Sequence, residues 1–203
     1  IDGVVDVTSE SIEETVLEDA ARLTSYAKAG LAHYNFFAFE PRLERLGAWY
    51  RQLVAESLGK ATDRAGKAVK TGFVPTISTP VELHSTGQLF MSGLPGVYTD
   101  FVSFDDDTID FTLPKRGLAK AYGGQTVQEI AAAIYGGVIG AYEEKQLPYR
   151  ATIFTEDLIY SLGLFMGMRM LETMYVAELM NVNAFDQPNV ELYKKKTREI
   201  LGM

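Results

Sequence analysis

The chain has 203 residues, of which 47% are hydrophobic and 23% charged, as is typical of a globular protein with one sizeable core. Its formal net charge of −8 offers no basic surface to nucleic acid or to an anionic membrane, so we expect neither as a partner. Cysteine is absent, which excludes a disulfide, a zinc thiolate site and a thiol nucleophile and suits a cytoplasmic enzyme.

The first two predicted elements are a helix and a buried strand. Residues 11–14 (Ser-Ile-Glu-Glu) have the capping-box pattern, and apolar residues recur at helical spacing until Gly30 supplies a stop. Residues 31–39 form an apolar and aromatic run of strand length, which indicates a buried parallel strand. His33 lies in this run, where a histidine is more often a core residue than a ligand.

A second helix is predicted from Pro41 to about Gly59. Within it, Gln52 and Glu56 are four residues apart and therefore share one face. Glu56 falls in the last turn, where the helix dipole disfavours negative charge, and a carboxylate so placed suits a general base. Considered alone, it is more simply an exposed residue at a helix end.

A second strand is predicted at residues 72–78, followed by a helix that begins at the capping box Thr79-Pro-Val-Glu82. His84 falls in the second turn, where the positive end of the dipole favours the neutral imidazole that can exchange protons. Without further information, His84 is more simply a structural or solvated side chain.

Residues 97–104 and 108–113 flank three consecutive aspartates, and this arrangement predicts a hairpin with a solvated acidic turn rather than a metal site. A helix is predicted over residues 126–144. Its glycines Gly136, Gly137 and Gly140 cost helix propensity, which predicts close packing against a neighbouring element.

The last predicted elements are a strand at residues 149–154, a long helix capped by Thr155 and a terminal helix after Pro188. The long helix contains three charged residues, which favours a buried helix over a membrane span. Strands that alternate with helices predict an α/β layer fold with a mainly parallel sheet. Ligands in such folds bind beyond the carboxyl ends of the strands.

Several common catalytic motifs are absent from the sequence. There is no dinucleotide-binding fingerprint, no P-loop and no nucleophile elbow. With two histidines and no cysteine, a zinc site would depend on carboxylates, which is uncommon. We therefore expect neither a metal nor another cofactor.

Four stretches resemble the phosphoglucose isomerase (glucose-6-phosphate isomerase) family, and they follow one another in the same order as in that family. Phe185-Asp-Gln-Pro-Asn-Val-Glu-Leu-Tyr-Lys194 resembles the family signature F-D-Q-x-G-V-E-x-x-K, with Asn189 in place of the glycine. Tyr50-Arg-Gln-Leu-Val-Ala-Glu-Ser-Leu-Gly-Lys60 is similar to W-x-Q-L-x-x-E-S-x-G-K, and residues 83–89 are similar to the histidine segment. Residues 34–43 resemble the strand that leads into E-P-x-L, so the resemblance runs from about residue 30 to the end.

The resemblance implies a three-layer sugar-isomerase (SIS) domain, in which a five-stranded, mainly parallel sheet lies between helices. Residues 1–203 would form a single C-terminal domain of this kind. The implied reaction is the interconversion of glucose 6-phosphate and fructose 6-phosphate by ring opening and proton transfer through an enediol. The implied assembly is a homodimer that binds a sugar phosphate.

Residue roles also follow from the resemblance. Glu56 matches the base that moves a proton between C1 and C2, and Gln52 matches a phosphate contact. His84 and Lys194 match the groups that open the sugar ring, the histidine being lent by the neighbouring subunit. Gln187 matches another substrate contact. Lys194 should accordingly lie near Glu56, whereas the two lysines that follow it should point elsewhere.

The chain also departs from the family pattern. The segment G-G-R-[FY]-S is missing, because Gly123-Gly124 is followed by Gln125. The first sugar-isomerase domain, with its Ser/Thr-rich phosphate loop, is missing as well. We therefore expect the C-terminal part of an isomerase, inactive or nearly so alone. The alternatives are a noncatalytic sugar-phosphate-binding or regulatory domain, and a different aldose-ketose isomerase on the same scaffold.

Overall fold

The computed structural model of the protein describes residues 10–31, 33–69, 73–105, 111–117, 120–154 and 157–203. The strands are β1 (His33–Ala38), β2 (Val74–Ser78), β3 (Val97–Phe104) and β4 (Tyr149–Phe154). The long helices are α1 (Glu10–Lys28), α2 (Glu44–Leu58), α3 (Val127–Glu144), α4 (Leu158–Leu179) and α5 (Pro188–Ile200). In the part of the chain so described, no helix is long and apolar enough to cross a membrane.

The four strands form one sheet in the order β2-β1-β3-β4, and every neighbouring pair is parallel. The predicted α/β fold with a parallel sheet is confirmed. The sheet has four strands within the described ranges, one fewer than the five that the family resemblance implied.

Helices cover both faces of the sheet and give three layers. Because side chains alternate along a strand, Tyr34, Phe36 and Ala38 of β1 pack into the core beneath α1, α2 and α4. Phe37 points to the opposite face, where Val138 of α3 covers it. The site described below lies where α2 and α4 end.

The ends of most helices agree with the sequence patterns. Gly30 has a φ of +96°, the left-handed conformation that glycine adopts readily after a helix. Thr126 and Glu129 form the capping box of α3. The N-cap of α4 is Asp157, whose carboxylate accepts the N–H groups of Ile159 and Tyr160 at 2.8 and 3.0 Å. The predicted cap, Thr155, lies outside the described residues.

The helix predicted after β2 is irregular. It begins as a 3-10 helix, Pro80–His84, and continues as one α-helical turn, Thr86–Gln88, and a π-helical turn, Leu89–Gly93. The carboxylate of Glu82 accepts hydrogen bonds of 2.6 Å from both the backbone N–H and the hydroxyl of Thr79. These bonds hold the pKa of Glu82 below its ordinary value.

The predicted hairpin after β3 is not formed by the residues that the structure describes there. Strand β3 is already paired on one side with β1 and on the other with β4, so neither edge is free for an antiparallel partner. Thr112 instead forms a bridge with Thr126, and the N–H of Asp105 bonds the carbonyl of Phe154 at 2.9 Å. Residues 106–110, with the rest of the acidic turn, lie outside the described ranges.

The predicted close packing of the α3 glycines was wrong. A Cβ atom built on Gly136, Gly137 or Gly140 would have no atom within 4 Å among the described residues. These three positions lie on the exposed side of α3.

The core contains a network of charged residues centred on Arg150 of β4. Its Nη1 donates to Asp19 and to Glu172 at 2.7 Å each, and its Nη2 donates to Asp100 at 2.5 Å and to the Tyr34 hydroxyl at 3.1 Å. The network joins α1, β1, β3, β4 and α4. Glu172, one of the charges that interrupt the apolar sequence of α4, is fully buried in it.

Candidate functional site

A cleft of about 560 Å³ lies between the end of α2 and the segment that joins α4 to α5. It is lined on the first side by Ala55, Glu56, Gly59 and residues 60–64, and on the second by Asn183, Asp186, Gln187 and Val190.

The sequence of α2 places Glu56 at this cleft. Buried residues recur every four positions from Leu46 to Leu58 and turn one face of the helix into the core. Gln52 and Glu56 share an exposed face, as their spacing predicted. The helix ends at Gly59, whose N–H bonds the carbonyl of Ala55 at 3.1 Å.

Both oxygens of the Glu56 carboxylate accept hydrogen bonds from glutamine amides. Gln52 Nε2 donates to Oε1 at 3.0 Å, and Gln187 Nε2 donates to Oε2 at 2.8 Å. The two bonds orient the carboxylate toward the cleft. Because each carboxylate oxygen can accept more than one hydrogen bond, Glu56 retains the capacity to take up a proton from a substrate.

The segment that carries Gln187 is itself held by polar contacts. Asn183 accepts the N–H of Phe185 at 3.0 Å and donates to Asp186 at 3.2 Å. The Lys60 ammonium bonds the Asp186 carboxylate at 2.9 Å and also the Asp186 carbonyl. Neither Lys60 nor Asp186 was predicted as a site residue, since nothing in the spacing of two residues 126 apart shows that they pair.

Lys194 lies one helical turn beyond Val190, on the same face of α5. Its Nζ donates to Glu191 at 2.8 Å rather than to Glu56, and this bond raises the pKa of Lys194 and lowers that of Glu191. Lys195 and Lys196 pair with Glu199, in the last turn of the helix. Lys194 therefore bonds toward the first turns of the helix and the two lysines after it toward the last turn, and an approach of Lys194 to Glu56 stays a prediction.

His84 lies at the carboxyl ends of the parallel strands, and Glu56 lies at their amino ends. Helix α2 connects the carboxyl end of β1 to the amino end of the parallel strand β2. Glu56 is in the last turn of α2 and therefore lies near the amino ends of the strands. His84 follows the carboxyl end of β2 and is exposed. The expectation that a ligand binds beyond the carboxyl ends of the strands stays a prediction, and Glu56 lies at the other ends. One chain does not bring the two residues together.

The cations that line the cleft are already paired. Lys60 bonds Asp186, and Arg64 bonds Glu178 at 2.7 Å. One oxygen of the Asp63 carboxylate, Oδ1, accepts the backbone N–H groups of Ala65 and Lys67 at 2.9 and 2.8 Å. Glu56 is thus the lining carboxylate with side-chain amide partners only, which distinguishes it as the candidate proton carrier.

Comparison with known proteins gives curated relatives that are glucose-6-phosphate isomerases. The chain is 34% identical over 170 residues to a glucose-6-phosphate isomerase of Thermus thermophilus, covering 82% of this chain and 41% of the relative. The glucose-6-phosphate isomerase of Mycoplasmopsis synoviae is 28% identical and aligns with 100% of this chain and 48% of its own length. The chain therefore spans less than half the length of either curated relative. No protein-family model matches the chain.

Two solved structures resemble the fold. A hypothetical protein from Thermus thermophilus has a TM-score of 0.83 and 30% identity over 99% of this chain and 49% of that one. A glucose-6-phosphate isomerase from Chlamydia trachomatis has a TM-score of 0.70 over 84% of this chain and 35% of that one. Its 18% identity shows similarity of fold alone.

Proposed function

Because the chain belongs to the glucose-6-phosphate isomerase family and corresponds to a C-terminal portion of it, we propose that it forms part of an aldose-ketose isomerase. The proposed enzyme interconverts glucose 6-phosphate and fructose 6-phosphate. Residues 1–203 would supply one C-terminal sugar-isomerase domain, and the lack of cysteine supports a cytoplasmic location.

The observation that carries the proposal is the Glu56 carboxylate, held by Gln52 and Gln187 at a cleft large enough for a hexose phosphate. Isomerisation moves one proton between adjacent carbons, C1 and C2, through an enediol. A single carboxylate that takes the proton from one carbon and returns it to the other is sufficient for this step. Gln187 contacts Glu56 directly and would keep its carboxylate aligned with the substrate.

Ring opening needs one group that donates a proton and one that accepts it. The Lys194 ammonium is the proposed donor, since it lies one helical turn beyond Val190 of the cleft lining and would exchange its bond to Glu191 for one to the sugar. His84 lies at the carboxyl ends of the strands, away from Glu56, which supports the proposal that it serves the site of a second subunit in a homodimer. Each site would then need residues from two chains.

Phosphate binding would depend on groups outside this chain. Lys60 and Arg64 are committed to carboxylates, and Gln52 offers an amide that is already bonded to Glu56. An untethered phosphate loses the binding energy that positions the sugar for reaction. We therefore expect the 203-residue chain alone to be inactive or nearly so.

The test is complementation in trans. The chain is mixed with the separately expressed remainder of the Thermus thermophilus relative, and glucose 6-phosphate formation from fructose 6-phosphate is measured. Activity that appears only in the mixture supports the proposal. Binding of fructose 6-phosphate without turnover in the mixture would instead favour a noncatalytic sugar-phosphate-binding domain.

A further inference from the structure

Lys60 holds an unusual position for a lysine. It follows Gly59 directly after the end of α2, yet its side chain is 8% exposed, whereas that of its partner Asp186 is 50% exposed. Its ammonium bonds both the carboxylate and the backbone carbonyl of Asp186. An ammonium has three donors and can satisfy both acceptors at once.

These bonds join two segments that each carry a site residue. Lys60 is four residues beyond Glu56, and Asp186 immediately precedes Gln187. The bond between Gln187 Nε2 and Glu56 Oε2 at 2.8 Å lies beside the bonds of Lys60. Asn183 stabilises the turn before Asp186 from within, but Lys60 attaches the turn to α2.

We propose that Lys60 is a positioning residue that fixes residues 183–187 against α2 and so keeps the Gln187 amide on the Glu56 carboxylate. The catalytic consequence rests on the proposed function, whereas the structural linkage does not. Lys60 acts through Asp186 and Gln187, because the two bonds that its ammonium makes are both to Asp186.

The test follows the side-chain amide signals of Gln187 by nuclear magnetic resonance. The E56A variant gives their positions when the bond to Glu56 is absent. We expect K60M to move both amide proton signals to the E56A positions, and D186N to move them part of the way because the carbonyl of Asp186 remains. R64M is the matched control, since Arg64 lines the same cleft but pairs with Glu178. It should leave the signals unchanged.

If K60M loses the dispersed spectrum of a folded protein, D186N decides the question by the same criterion. Gln187 signals that stay at their native positions in every folded variant among K60M and D186N would overturn the proposal. In the complemented enzyme, the mixture of this chain with the remainder of the Thermus thermophilus relative, K60M should lower kcat about 10- to 100-fold with a smaller change in KM. Since the amide signals require no turnover, failure of the linkage and failure of the proposed function are distinguishable.

Discussion

Gln187 donates a hydrogen bond to Glu56 across 131 residues of sequence, at 2.8 Å, and thereby connects the segment before α5 to the last turn of α2. The bond lies at the surface, so its contribution is to orientation of the carboxylate more than to stability. A carboxylate displaced by even about 1 Å can reduce a proton-transfer rate by about 100-fold.

Replacing Gln187 by leucine removes that donor. We expect Q187L to lower kcat/KM in the complemented enzyme about 10- to 100-fold, with a free energy of unfolding within about 0.5 kcal/mol of the native chain. Steady-state kinetics and urea unfolding measure the two effects. The control is Q125L. Gln125 is exposed and remote from the cleft, so this variant should retain activity. Equal activity of Q187L and Q125L would show that the bond has no role in the reaction.

The opposite locations of His84 and Glu56 predict that two inactive chains restore each other. Mixtures of H84Q and E56Q, refolded together with the remainder of the relative, should recover activity, because one site of each mixed dimer has both residues intact. Random pairing predicts about a quarter of the sites to be competent. No recovery, with mixed dimers demonstrated by mass spectrometry, would place both residues in the site of one subunit.

Arg150 is predicted to be essential to stability. R150M removes the cation that Asp100 pairs with, while Asp19 and Glu172 keep Arg169, and removal of one partner from a buried ion pair costs about 3–5 kcal/mol. Urea unfolding at about pH 7 measures this loss. The control is R22M, because Arg22 makes a more exposed pair with Asp19 and should cost less than about 1 kcal/mol. Equal effects of R150M and R22M would contradict the account of the core.

The same network predicts acid sensitivity. Burial opposes ionisation of Asp100, but Arg150, Arg169 and the hydrogen bonds from Arg150 and Tyr34 outweigh it and lower the pKa of Asp100. A carboxyl whose pKa is lower in the folded state contributes its full stability above the unfolded-state pKa and loses it as the pH falls through the folded-state pKa. D100N should therefore flatten the decline in unfolding free energy between about pH 4 and pH 2. An unchanged decline would show that other carboxyls cause it.

The glycines of α3 give a prediction of the opposite sign. G137A should stabilise the chain by about 0.5–1 kcal/mol, because alanine favours helix and its Cβ would meet nothing within 4 Å. G47A is the contrast, since its Cβ would lie 2.6 Å from Cδ1 of buried Phe36. Thermal unfolding compares the two variants. A destabilised G137A would mean that the exposed side of α3 is covered by another chain in solution.

Local patterns predicted most elements but not their partners. The runs of apolar residues and the stop at Gly30 identified helices and strands, because those signals depend on neighbours in sequence. The hairpin prediction failed for the described residues because a run of aspartates does not show which strands lie beside β3, and β3 is central in the sheet. The glycines of α3 were misread because low helix propensity does not reveal whether a neighbour is present.

The sequence predicted some residues of the candidate site and missed others. The spacing of Gln52 and Glu56 and the family resemblance together identified the candidate residues. Lys60 and Asp186 escaped notice because their contact joins distant segments and depends on where α2 and α4 end. The sequence did not show that His84 and Glu56 lie at opposite ends of the strands, because that depends on the direction of α2 relative to the sheet.

The most direct test of the central claim is solvent exchange of the transferred proton. Fructose 6-phosphate is incubated in deuterium oxide with the complemented enzyme, and deuterium at C1 of the ketose and C2 of the aldose is measured by nuclear magnetic resonance. If Glu56 carries the proton, the native mixture incorporates deuterium, and E56Q reduces both exchange and isomerisation about 100- to 10,000-fold. E44Q, altered at the other end of α2, retains both. Exchange by E56Q at the native rate would contradict the assignment of Glu56 as the base.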